Sequence, residues 1–194
     1  MGTHPNYNLR NRDIQFRNLL SLLKESIQGL LEKHGTAYRL VINKNKPIWF
    51  YPCDSEENAK ATVEAIETLL EGGFNGATTH LRKAADFIIH NNHDDAIVQS
   101  IHAVESVARK INPNANTLGP ALDTLQEGGL LNHKSLSTAF KKLYGYTCDE
   151  EGLRHSLVFN EEANVDQDES VFFFGACASF AGYLARKYLS SRNS

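Results

Sequence analysis

Apolar positions recur at helical spacing along most of this chain. Ile14, Leu19, Leu20, Leu22, Leu23, Ile27, Leu30 and Leu31 predict a helix from about Arg12 to Lys33, stopped by Gly35. Residues 1–11 are polar, with Pro5 and several asparagines, and are expected to be loose. The pattern then changes period. Tyr38–Ile42 and Ile48–Tyr51 are β-type runs flanking residues 43–47, which reads as a hairpin with a five-residue turn. Two strands are marginal alone, so the hairpin is expected to lie on helices or to extend another sheet.

From Asp54 onward the pattern is helical throughout. Asp54 with Glu57 resembles a capping box, opening a helix that runs to Glu71 and ends at Gly72-Gly73. Further helices are expected over about 75–90, 94–111, 118–126, 134–144, 149–161 and 168–189. Ile97, Ile101, Val104, Ala108 and Ile111 form one narrow stripe. The last segment is apolar on nearly every side, as a central helix would be. Gly175, Ser179, Gly182 and the alanines between them would admit a close neighbour, either within the bundle or at a subunit interface. The expected organisation is a loose 1–11, an N-terminal helix plus hairpin over 12–53, and a helical bundle over 54–190.

Composition narrows the class. With 194 residues and 41% hydrophobic content the chain can bury a core. A net charge of -3 argues against broad, non-specific nucleic-acid binding but leaves room for a local basic site. Cys53, Cys148 and Cys177 are far apart and odd in number, without a signal-peptide pattern, which suits reduced thiols in the cytoplasm. Val171–Leu184 carries no charge, yet it falls short of the roughly 20 residues a membrane span needs. Eight histidines invite a metal, but none forms an HExxH pattern, and no cofactor motif of the P-loop or Rossmann type occurs. Nucleophilic catalysis is unsupported too. There is no Gly-x-Ser-x-Gly elbow, and Cys177 sits within the most apolar helix.

The remaining chemistry lies in Gly152-Leu153-Arg154-His155-Ser156. Arginine can hold a phosphate by two hydrogen bonds, and a histidine that titrates near neutrality can pass a proton. The plainer reading is a solvated pair, with Arg154 bridging to Glu150 or Glu151. Glu105, at the edge of the apolar stripe, either pairs with Arg109 one turn on or reaches Arg154 and orients it. Lys141-Lys142 and Arg186-Lys187 are basic doublets in the helical half, read first as solvated faces.

Several segments, taken in order, resemble a HEPN domain (higher eukaryotes and prokaryotes nucleotide-binding), and in particular the C-terminal HEPN module of abortive-infection antiphage proteins. They are residues 94–108 (DDAIVQSIHAVESVA), Thr117–Leu122, Leu143–Tyr146, Gly152–Ser156, and the Phe-rich helix ending Phe180–Leu184. The resemblance covers a little over half the chain. It implies a mainly α fold: a HEPN-like helical bundle, here with an N-terminal helix and a small β-hairpin. It also implies a homodimer, RNA as substrate or ligand, and a partner protein of a defence or toxin–antitoxin system. Many members are metal-independent endoribonucleases. Their signature is Arg followed by His after four to six residues, with two copies meeting at the dimer interface. Carried over, Arg154, His155 and Glu105 are the catalytic candidates, and Asn160, Lys141 and Lys142 the RNA-binding ones. The chain departs from the pattern: Phe159, Asn160 and Glu161 stand where the spaced histidine belongs. The non-catalytic alternative is a HEPN-like module for dimerisation, RNA binding or partner docking.

Overall fold

The computed structural model describes residues 5–33, 38–43, 46–53, 55–148 and 165–192. The chain divides into two units, Met1–Tyr51 and Pro52–Ser194. Among the described residues there are seven helices and one two-stranded antiparallel sheet, so the fold is mainly α with a β-hairpin.

In the first unit, α1 (Pro5–Lys33) is followed by β1 (Tyr38–Asn43) and β2 (Lys46–Pro52). The helix starts at Pro5, a full two turns before the expected Arg12. Proline suits a first helical position because its missing N–H has no acceptor there in any case. The polar residues behind it carry no apolar period, which hid them. α1 packs on β1. Leu20, Ile27 and Leu31 are half-buried on that side, and the Gln28 side-chain oxygen accepts from the Leu40 N–H at 3.3 Å. Phe16, Leu19, Leu22, Leu23 and Leu30 are exposed. The hairpin therefore lies on a helix, as its marginal stability requires.

The second unit contains α2 (Glu56–Glu71), α3 (Asn75–Ile89), α4 (His93–Ile111), α5 (Leu118–Glu127), α6 (Lys134–Cys148) and α7 (Gln167–Arg192). The cap of α2 is Ser55, whose hydroxyl accepts from the Asn58 N–H at 3.1 Å, rather than Asp54. The helix expected over 149–161 lies outside the described residues. α6 runs past Tyr144 to Cys148 in spite of Gly145. Tyr146 stacks on Phe173 at 5.4 Å and donates to Glu169 at 2.7 Å, so its last turn is held by α7.

Three helices end in the same way, and local chemistry accounts for it. The Phe74 N–H reaches Leu69 O (2.8 Å) and the Gly73 N–H reaches Leu70 O (3.2 Å), with Gly73 at φ 69°. Asn92 and Asn91 do the same to Phe87 O and Ile88 O, and Leu130 and Gly129 to Leu125 O and Gln126 O. These are Schellman motifs, in which a left-handed residue lets two orphan carbonyls find donors. Gly73 and Gly129 take that conformation without a Cβ penalty, and Asn91 (φ 58°) is the next best residue for it.

α7 packs against α2, α3 and α4, and α5 bridges α4 to α6. Ala178, Ala181, Leu184, Phe174 and Cys177 are buried along α7. Its small residues serve the bundle itself: a Cβ at Gly182 would lie 2.6 Å from Ala65 Cβ and 2.8 Å from Ala65 Cα, and one at Gly175 would meet the Asn58 amide at 2.8 Å. The α7 N-terminus is tied to α4 through His93 Nδ1 and Ser170 Oγ at 3.0 Å. The single Ser170 hydroxyl proton goes to Gln167 O, so His93 donates. No helix of the described residues is long and apolar enough to cross a membrane.

Candidate functional site

α3 and α4 form an antiparallel pair in which Gly76 faces the Ser106 side chain. A Cβ there would collide with Ser106 Oγ. One turn nearer Asn91 on each helix stand His80 and His102, their rings 5.4 Å apart and T-shaped. His80 Nδ1 donates to Gln99 Oε1 at 2.8 Å. An amide oxygen can only accept, so Nδ1 of His80 carries a proton. Towards the α4 C-terminus come Glu105, Arg109 and Lys110. These residues line a groove of about 540 Å³, within the size range of small-molecule sites.

The two cations of the groove differ in what they are free to do. Lys110 Nζ donates to Gly73 O at 2.6 Å and sits 4.4 Å above the Phe74 ring, tying the α2–α3 turn to α4. Its donors are largely committed to that turn. Arg109 is exposed, and among the described residues it makes no ion pair. Both cations occupy the last turn of α4, where the helix dipole favours positive charge.

The residues expected from the sequence are distributed unevenly. Glu105 lies in this groove, half-buried, and without an ion pair to Arg109 one turn away. Lys141, on α6, is ion-paired to Asp123 of α5, which offsets the charge an RNA phosphate would meet. Lys142 is exposed on the same helix. Neither lysine lines the groove. Arg154, His155 and Asn160 lie outside the described residues.

His80, His102 and Arg109 do not stand out from the sequence as one cluster, although a signal for it exists. Residue numbers 80 and 102 are symmetric about Asn91, the turn between α3 and α4, as are 76 and 106. An antiparallel helical hairpin brings such pairs to the same level.

Other groups are placed for packing. Cys177 is fully enclosed in the bundle, and burial pushes its thiol up to about 12, far from a reactive thiolate. Tyr146 is also pushed up to about 12, first by desolvation and then by the hydrogen bond and charge of Glu169. Among the described residues, no three His, Cys, Asp or Glu side chains converge in a way that could hold a metal ion.

Compared with family models, with curated proteins and with solved structures, the chain matches none of them.

Proposed function

We propose that this chain is a HEPN-like protein of RNA processing or antiphage defence, acting on RNA as a homodimer in the cytoplasm. The observation that supports the reading is where the resembling segments fall. Residues 94–108 run along α4, Thr117–Leu122 opens α5, Leu143–Tyr146 lies in α6, and Phe180–Leu184 lies in α7. α4 packs against each of those three helices. Four of the five segments are thus neighbours in one helical unit, which chance similarity of scattered short segments would not require.

In this reading Arg154 and His155 meet their copies at a dimer cleft. His155 takes the proton of a ribose 2′-OH as O2′ bonds to phosphorus, the P–O5′ bond breaks, and the departing O5′ takes a proton from water while His155 returns its own to solvent. Arg154 holds the charge on the phosphoryl oxygens. The products are a 2′,3′-cyclic phosphate and a 5′-hydroxyl, and no metal takes part. One observation favours a second reading, RNA binding without cleavage: Phe159, Asn160 and Glu161 occupy the positions of the spaced histidine. Asparagine can bind RNA but cannot shuttle a proton at neutral pH.

Total RNA incubated with the protein in EDTA separates the two. Cleavage leaving cyclic phosphates, and lost in Arg154→Ala and His155→Ala, supports the enzyme. RNA retention without cleavage supports the binding module. Neither cleavage nor retention refutes both.

A further inference from the structure

We propose that the α3–α4 groove is a binding site for a sugar-borne phosphate monoester. The proposal uses neither Arg154 nor His155 and does not need the HEPN reading.

The groove is built on two rigid elements. Gly76 packs against Ser106 where α3 meets α4, so apart from Pro113 its walls are helices. Its cationic donor is Arg109. Lys110 is already spent on the Gly73 carbonyl and the Phe74 ring, whereas the Arg109 guanidinium has no ion pair among the described residues. A guanidinium presents its N–H groups in a planar fork that matches two oxygens of a phosphate. The Ser106 hydroxyl and the imidazoles of His80 and His102 supply further polar contacts in the same groove.

Glu105 decides what else the ligand must carry. It stands one turn from Arg109 yet does not pair with it. An ionised carboxylate only accepts hydrogen bonds, so it opposes a bare anion and favours a ligand that brings hydroxyl donors beside its phosphate. The His80 ring gives its Nδ1–H to Gln99, which leaves Nε2 as its other polar atom. A fork of donors beside the Glu105 acceptor in about 540 Å³ suits a phosphorylated pentose better than inorganic phosphate. The same chemistry occurs in a free sugar phosphate and at the 5′-phosphorylated end of an RNA strand.

Isothermal titration calorimetry of the full chain tests this with ribose 5-phosphate, and with an oligoribonucleotide bearing either a 5′-phosphate or a 5′-hydroxyl. Saturable binding is expected for ribose 5-phosphate, for the 5′-phosphorylated strand in preference to the 5′-hydroxyl strand, or for both, according to the source. Arg109→Gln should weaken whichever binds by about tenfold or more, the loss of a charge-assisted pair. Glu105→Gln should narrow the preference for ribose 5-phosphate over inorganic phosphate. Both side chains reach solvent, and unchanged thermal melts will show that the variants fold. The site is overturned if neither ligand gives saturable binding, or if Arg109→Gln leaves the affinity unchanged. Equal affinity for the two strands, with no binding of ribose 5-phosphate, overturns it as well while leaving the RNA-binding reading intact.

Discussion

Gly182→Ala should destabilise the bundle, although alanine is the better helix former. The added methyl would sit 2.6 Å from Ala65 Cβ and 2.8 Å from Ala65 Cα, across the contact of α7 with α2. A flexible side chain could swing away, but a neighbouring Cα cannot, so the two helices must separate. Overpacking of a core typically costs about 1–3 kcal/mol. Replacing an interior glycine by alanine returns roughly 1 kcal/mol of helix propensity. The contact with Ala65 Cα puts the strain toward the upper end, leaving a net loss of about 1–2 kcal/mol. For a chain of this size that lowers the melting temperature by about 3–6 °C. Gly119→Ala is the control: it lies in the first turn of α5 with nothing within 4 Å of the place its methyl would take, so it should be neutral or mildly stabilising. Urea denaturation followed by circular dichroism measures both. Ala65→Gly combined with Gly182→Ala removes the methyl–methyl collision, and the double-mutant cycle should show about 1 kcal/mol of favourable coupling. If Gly182→Ala raises the midpoint as Gly119→Ala does, the close α2–α7 approach is wrong.

Tyr146→Phe should cost about 0.5–1.5 kcal/mol near neutrality by removing the bond to Glu169. Folding raises this phenol from 10.0 to about 12, so its contribution is complete below pH 10 and is lost as pH climbs from 10 through 12. Stability of the wild type should fall over that window more steeply than that of the variant. The difference between their phenolate absorbance titrations should centre near 12. Cys177 should resist a thiol reagent in the native protein at pH 8 and react only on unfolding; labelling of native protein mapped to Cys177 by mass spectrometry would contradict its burial. Lys110→Met should lose about 1–2 kcal/mol through the Gly73 hydrogen bond and the Phe74 contact, read as a lower urea midpoint. Asn91→Gly should gain a few tenths to about 1 kcal/mol, because glycine holds the left-handed Schellman position without a side-chain clash.

What could be read from the sequence was local. Gly72-Gly73 marks a helix end because a left-handed residue is needed there, and few residue types supply it. The α4 stripe was legible because Ile97, Ile101, Val104 and Ala108 are all buried in the core at helical spacing. The misses have non-local causes. No period marks the start of α1 at Pro5, and the last turn of α6 depends on Phe173 and Glu169 of α7, more than twenty residues away in the chain. The site was legible in part. Glu105 stood out at the edge of a stripe, but its neighbours are a pair from two helices, visible only once the turn at Asn91 is used as the mirror of a hairpin. Arg154, His155 and Asn160 lie outside the described residues.

The Lys110 contacts explain why a groove with two adjacent cations should behave as a site with one. Lys110 holds Gly73 O, and the carbonyl it satisfies belongs to the left-handed residue that ends α2. The same ammonium covers Phe74, which is itself buried against Tyr188 of α7. Pulling Lys110 toward an anion would therefore give up a 2.6 Å charge-assisted bond and uncover an aromatic ring of the core. Arg109 has no such bond to break. A ligand phosphate would be held by the residue whose charge costs the fold nothing to redirect, while Lys110 keeps the wall behind it in place. Hence Arg109→Gln should abolish most affinity with little change in melting temperature, and Lys110→Met should do the reverse. Equal effects of both substitutions on both quantities would mean that the two cations share one role, contrary to the division their partners imply.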